Sequence, residues 1–302
     1  MRVDAHCHAT QERWHPENWW RAVAEEAANL LEIPTDGLRE SVVPAYFDED
    51  GSGQLGSMET AGIDVAVMFH YDWSLEPSLG RPEAGWREVN DWYADLAARS
   101  GGRVRWGFGV DPRHEGALEA FEEAVRDRDA VCLKLHPGGG FALNDPAVYP
   151  FLDRAGQLGV PVVLHVGPLP PPLESRFAEP ALFDTVAGDF PDLPMQAAHT
   201  GNEAWREVIE IAVRRPNVFC DLSGWQLRSA QDADRFRSDV RTVLDAVGRD
   251  RVMWGTDAPY FRPAVPDTEW VRAFAEAPEG TFTGEEVGAI LGGTAARFFR
   301  LG

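Results

Sequence analysis

Apolar positions along the chain gather into short runs at regular intervals. Seven β-rich runs lie at 63–70, 104–110, 130–136, 161–166, 194–199, 217–222 and 251–257. Most are nearly continuous rather than alternating, as expected of strands covered on both faces. Between them the period changes. Residues 83–99 set Trp86, Val89, Trp92, Tyr93 and Leu96 at three- and four-residue spacings, and 115–127, 146–158, 202–215 and 232–248 read as amphipathic helices. The first ten residues supply an eighth strand. Eight strands alternating with helices predict an α/β fold in which a parallel sheet closes into a (β/α)8 TIM barrel, a single domain over residues 1–302. An open doubly wound sheet is the alternative, but no GxGxxG or Walker loop follows any run.

The alternation is interrupted after the first strand by a Trp-rich excursion, residues 11–58, predicted as an insertion forming a lid or pocket wall. Helix-favouring residues follow Pro16 as far as Leu31, and Pro34, Gly37 and Pro44 break up what comes next. Trp14, His15, Trp19 and Trp20 are its candidate contributions to a pocket, with most of its aromatics assigned to packing. Asp48-Glu-Asp-Gly-Ser-Gly53 reads as an exposed turn, since it lacks the terminal Glu of a Ca²⁺ loop. Pro168 to Pro172 predicts a rigid rim after the 161–166 strand, and residues 283–302 read as short capping helices with an apolar face.

Charge narrows the partners. With 28 basic and 49 acidic residues the net charge is −21, which disfavours nucleic acid and anionic lipid and leaves a small-molecule substrate. No apolar run reaches the roughly 18 residues of a membrane span, and the DxHxH strand leaves no room for a signal peptide. Cys7, Cys132 and Cys220 have no disulfide-like spacing, so a reducing, cytoplasmic location is expected. Eleven Trp and sixteen Phe exceed what a barrel core needs, and the surplus suggests a homo-oligomer interface.

The candidate chemistry lies at the strand ends. Asp4, His6 and His8 alternate in the first strand and so share a face. Two imidazoles there supply half of a metal site, although an isolated pair is as readily a hydrogen-bonded core feature. The other strands carry His70, Lys134 and His136, His165, His199, Asp221 and Asp257 toward their carboxyl ends, where barrel enzymes place their functional groups. Lys134 and His136 share a parity, so both face the axis or neither does. A chance placement of so many imidazoles in a core is a strained explanation.

These pieces resemble the amidohydrolase superfamily, in its "amidohydrolase 2" branch of metal-dependent hydrolases and decarboxylases. The likeness rests on Asp4-Ala-His6-Cys-His8, Lys134-Leu-His136-Pro137, His165-Val-Gly167, Ala198-His199-Thr-Gly201, Asp221-Leu-Ser-Gly224 and Trp254-Gly-Thr-Asp257-Ala-Pro259. Gly292-Gly-Thr-Ala-Ala-Arg297-Phe resembles the closing helix, with Thr294 where Asn is usual. The resemblance covers residues 1–10 and about 61–300; the excursion matches nothing in the family.

The resemblance implies that His6, His8, His165 and Asp257 hold one divalent metal, Zn²⁺ by its donor set, with Mn²⁺ as the alternative. It implies Asp257 as base toward the attacking water and His199 as the acid or electrophile at the substrate carbonyl. A second metal at Lys134 is the weaker reading; Lys134 or His136 contacting substrate is the stronger. His70 is read as a pocket residue or one bonded to a loop, and Asp221 as orienting a metal-site His or bonding backbone. Asp111 and Arg113 are read as a structural turn before a carboxylate site, and His15 and His114 as solvent-facing. The activity implied is hydrolysis of an amide, lactone or related carbonyl bond of a small carboxylated or cyclic substrate. The main rival is non-oxidative decarboxylation of an aromatic or enoic acid, with Lys134, Arg113 or Arg81 holding the carboxylate. Hydration of a double bond and a non-catalytic scaffold stand further behind.

Overall fold

Each apolar run contains a strand in the structure, a computed structural model that describes residues 1–31, 34 and 37–302. Residues 32, 33, 35 and 36 of the excursion therefore lie outside the described residues. The strands are β1 (Val3–Cys7), β2 (Val65–Phe69), β3 (Val104–Gly109), β4 (Leu133–Leu135), β5 (Val162–His165), β6 (Met195–Ala198), β7 (Val218–Asp221) and β8 (Val252–Met253). Every neighbouring pair is parallel, in the order β1 to β8. The helices read from periodicity are present at Glu17–Leu31, Trp86–Arg99, Ala117–Arg128, Tyr149–Leu158, Trp205–Arg214 and Ala233–Val247. Helices at Pro180–Asp189 and Asp267–Ala275 are additions to that reading.

The barrel closes where β8 meets β1. Three backbone hydrogen bonds bridge them: Ala5 N to Trp254 O (3.0 Å), Asp257 N to His6 O (2.8 Å) and His8 N to Ala258 O (2.8 Å). Gly255 lies in this seam, and a Cβ there would stand 2.9 Å from the His6 Cβ and 3.0 Å from its backbone N, so only glycine lets the chains approach this closely. Strict alternation puts Asp4 beside the two imidazoles. The β1–β2 register instead shifts between Asp4 and Cys7, and the Asp4 carboxylate accepts the Thr256 N–H (2.9 Å) and hydroxyl (2.6 Å). Burial pushes this carboxyl up to about 7 against the pull of Thr256. Asp4 is thus a clamp across the seam and not a member of the metal-site face.

Each of the strands β2 to β7 stops one residue short of its apolar run, and β8 stops four short. β6 stops at Ala198 because the next residues leave the extended region: His199 (φ 57°) and Thr200 (φ 47°) are left-handed, as is Asp257 (φ 50°) four residues beyond β8. Non-glycine residues pay conformational energy there, and such strain collects at functional sites.

The amino-terminal end of the barrel is plugged by the last helices. Val3, Ala5, Val67, Phe69, Val163 and Met253 meet Ala295, Phe298 and Phe299 in one buried cluster. At Gly292 a Cβ would lie 2.4 Å from the Met1 carbonyl oxygen, so the close approach of this segment to β1 requires glycine. The excursion builds a separate cluster over the opposite mouth, from Trp19, Trp20, Val23 and Tyr46 with Tyr71, Trp73, Leu169 and Leu173. The Asp48 turn has a structural use: its carboxylate accepts the Gly53 and Gln54 N–H groups (3.2 and 2.8 Å) and so caps the helix Ser52–Ala61. Every Trp and Phe is buried or half-buried. Among the described residues no helix is long and apolar enough to cross a membrane.

Thr256→Val tests the seam. It leaves a buried Asp4 oxygen without its hydroxyl donor and is expected to cost about 1–3 kcal/mol in urea unfolding; an unchanged midpoint would show that the clamp contributes nothing.

Candidate active site

The sequence sets which side chains stand at the strand ends; hydrogen bonds set where each ring points. His8 Nδ1 lies 2.7 Å from the Phe69 carbonyl oxygen. A carbonyl only accepts, so Nδ1 carries the proton and Nε2 presents a lone pair. His6 Nδ1 lies 2.6 Å from Asp221 Oδ2, which again leaves Nε2 as the free lone pair, buried and without a hydrogen-bond partner. Both Nε2 atoms face one carboxylate oxygen: Asp257 Oδ1 is 3.2 Å from His8 and 3.6 Å from His6. Lone pairs of two neutral imidazoles aimed at a carboxylate repel unless a proton or a cation lies between them.

A proton is disfavoured here. Burial holds His6 well below the usual imidazole range, with Lys134 and then His199 adding to it. Burial also lowers His8, against the pull of Asp257, and lowers His165, with His199 and Lys134 nearby. Burial opposes ionisation of Asp257, but the surrounding His199, His8 and His6 keep it well below the ordinary carboxylate range. Neutral imidazoles around an ionised carboxylate form a donor set suited to a divalent cation. The two nitrogens of His165 are also buried without partners. Its ring stacks on His136 at 4.2 Å and stands 5.0 Å from His199.

His199 comes closer to this cluster than its expected role as acid alone requires. The ligand-capable atoms of His6, His199 and Asp257 all lie within 4.8 Å of one another. Its Nδ1 is held by the Ser223 hydroxyl at 2.9 Å, and that hydroxyl lies 3.0 Å from Asp221 Oδ2. Asp221 also accepts from Gln196 Nε2 (2.8 Å) and from the Ser223 backbone N–H (2.7 Å). It therefore does both things considered for it: it orients His6 and it fixes its own turn. Ser223 and Gln196 went without a role in the sequence reading. Ser223 had a detectable signal, since it follows Asp221 by two residues in a strand-end motif; Gln196 had none.

Lys134 and His136 both line the cavity above this cluster. Lys134 is fully buried, its Nζ has no hydrogen-bond partner and it lies 5.1 Å from the Phe69 ring centre. Burial lowers it to about 8, while Asp257 and Asp221 pull the other way. His136 Nδ1 accepts the Gly138 N–H at 3.1 Å. His70 does not line the cavity; it is buried behind Tyr71, 6.0 Å from the His15 ring. His15 is buried rather than solvent-facing, stacked on Tyr71 at 4.9 Å, because the excursion folds over β2. His114 is half-buried and lies 3.0 Å from Asp72, also against expectation. Arg113 chelates Asp111 (2.9 and 2.6 Å) and the Gly140 carbonyl, so this pair is the structural turn. Neither Arg113 nor Arg81 reaches the cavity lining.

The cavity measures about 490 Å³ and is walled by the excursion through Trp19, Val23, Ala27 and Tyr46, a size ordinary for small-molecule sites. Trp14 and Trp20 pack instead, Trp14 against Trp92 and Tyr93 and Trp20 with its N–H on the Glu12 carbonyl. The Pro168–Pro170 rim contributes as expected.

Comparison with known proteins gives the family. The amidohydrolase family profile matches residues 80–301, and the chain belongs to that family. The match begins after β2, so the His6 and His8 strand lies outside it. An L-fucono-1,5-lactonase of Burkholderia ambifaria is 33% identical over 106 residues, 33% of this chain and 36% of the lactonase, so the match spans little more than a third of that enzyme. A zinc-bound amidohydrolase from Burkholderia multivorans superposes with a TM-score of 0.71 at 18% identity, covering 100% of both chains. A manganese-bound 5-carboxyvanillate decarboxylase from Novosphingobium aromaticivorans superposes with a TM-score of 0.67 at 16% identity, covering 100% of this chain and 96% of the other. At those identities the superpositions establish the barrel fold. The protein is an enzyme of a superfamily of metal-dependent hydrolases and decarboxylases.

Asp221→Ala frees the His6 ring. It is expected to weaken divalent-metal binding 10- to 100-fold, the usual effect of losing a carboxylate behind a ligating imidazole. Competition against a chromogenic chelator reads this; unchanged affinity would remove His6 from the ligand set.

Proposed function

We propose that the protein is a hydrolase that opens a lactone or cleaves an amide or related carbonyl bond of a small cyclic molecule. His6, His8, His165 and Asp257 hold one divalent ion, Zn²⁺ or Mn²⁺. The reading is carried by the convergence of the His6 and His8 Nε2 lone pairs on Asp257 Oδ1, 3.6 and 3.2 Å away, where charge balance calls for a cation. When bound, such an ion acts as a Lewis acid and lowers the pKa of water toward about 7.

The chain's own groups do the rest. Asp257, held ionised, accepts the proton of the attacking water and later returns it to the leaving group. His199, whose Nδ1–H is held by Ser223, would act in its doubly protonated form, donating Nε2–H to the carbonyl oxygen and stabilising the charge that develops there. Lys134 stands ready to hold a second substrate oxygen, since its Nζ is otherwise unpartnered. That same ammonium favours one rival: a buried cation is what a decarboxylase needs to seat a carboxylate, and loss of CO₂ from an aromatic or enoic acid is the second reading. The excursion serves as the wall that excludes water from both chemistries. Three unpaired, buried cysteines fit a cytoplasmic location.

Elemental analysis of the purified protein should find one metal per chain, and ring-opening should exceed CO₂ release over a panel of lactones and aromatic acids. Asp257→Asn is expected to lower kcat by about 10²-fold or more without changing the thermal melt. Turnover near that of the parent would overturn the base assignment.

A further inference from the structure

The cavity divides sharply by chemistry. The imidazoles, Lys134 and Asp257 all come from the strand ends and the short turns that follow them. Above them, among the described residues, the lining contains no Arg, Glu, further Lys or further Asp, and its uncharged polar side chains are Asn202, Gln231 and the tyrosines. The upper wall is made of Trp19 and Val23 from the excursion helix, Trp73 from the loop after β2, and Leu169 and Leu173 from the proline-rich rim. The Tyr71 and Tyr260 hydroxyls, which also reach this wall, hydrogen-bond to each other. Trp19 and Trp73 meet edge to face at 4.4 Å, and each is about nineteen-twentieths buried.

We infer that the substrate carries one reacting carbonyl head on an otherwise apolar, uncharged body, and that Trp19 and Val23 select for that body. The inference rests on the hydrolytic reading of the same site, in which the substrate is an alkyl- or aryl-substituted lactone. A polyhydroxylated sugar lactone, the kind the lactonase relative is named for, would press several hydroxyls against indole, leucine and proline surfaces. Most would lose water against carbon, since the polar groups that could replace it are few: the Trp19 and Trp73 indole N–H groups and the Asn202 and Gln231 amides. A dicarboxylate would need a second cation, and Lys134 is the one ammonium or guanidinium group lining the cavity among the described residues. An alkyl or aryl body instead gains in proportion to the apolar area it buries. It would also complete the packing of the excursion against the barrel mouth, where the cluster around Trp19 and Trp73 faces the cavity.

The test uses the metal-loaded, full-length enzyme and a γ-lactone series whose ring substituent grows from methyl to hexyl to phenyl, with a sugar lactone as comparison. The expected result is a kcat/KM at least about 10-fold higher for hexyl than for methyl, with the sugar lactone below both. Trp19→Ala should reduce the hexyl-to-methyl ratio several-fold. Val23→Thr, which puts a hydroxyl in the same wall at nearly constant volume, should reduce it too and covers the case in which the Trp19 variant does not fold. A flat series, or a preference for the sugar lactone, overturns the inference and leaves hydrolysis standing. If no lactone reacts, calorimetry with 4-phenylcyclohexanone and cyclohexanone, which no hydrolase cleaves, decides. Tighter binding of the phenyl ketone that Trp19→Ala abolishes upholds the apolar body and rejects the hydrolytic reading. Equal or undetectable affinities reject both.

Discussion

The site depends on how the two ends of the sheet meet. β1 and β8 are separated by nearly the whole chain, and three backbone hydrogen bonds between Ala5–His8 and Trp254–Ala258 join them. The Asp257 N–H donates to the His6 carbonyl within that set, so the carboxylate and the two imidazoles hang from the same seam. A slip of one residue would turn His6 and His8 away from Asp257, because side chains alternate faces along a strand. Asp4 and Gly255 guard the register from opposite directions, one by bonding Thr256 and the other by leaving no side chain to hold the strands apart.

Given the seam, electrostatics follow from burial. Five imidazoles, an ammonium and a carboxylate line one cavity, and full protonation of so many groups in a low-dielectric space would be prohibitive. The imidazoles His6, His8, His136 and His165 therefore shift toward their neutral forms and Asp257 toward its ionised form. Neutral rings are ligands; protonated rings are not. The carbonyl of Phe69 and the carboxylate of Asp221 then choose the tautomers of His8 and His6, so that β2 and β7 prepare a site to which they give no ligand of their own.

The left-handed conformations of His199 and Asp257 belong to the same design. The excursion supplies the other half of the enclosure, an apolar cluster of its own resting on Tyr71 and Trp73. The site's charged floor and its largely apolar roof thus come from different parts of the chain.

Periodicity and local composition determined the eight strands, six of the helices and the closed parallel architecture, because burial on both faces writes itself as continuous apolar runs. The placement of His and Asp at strand ends likewise marked the floor of the site, since a barrel sends those positions to a common mouth. Other features depended on contacts between residues far apart in sequence. The reorientation of Asp4 toward Thr256, the burial of His15 beneath the excursion, the withdrawal of His70 behind Tyr71 and the tethering of His199 by Ser223 each arise that way. A one-dimensional pattern records which face a residue prefers; only the folded chain decides which partner it meets there, and hydrogen bonding, which is directional and short-ranged, is settled by that meeting.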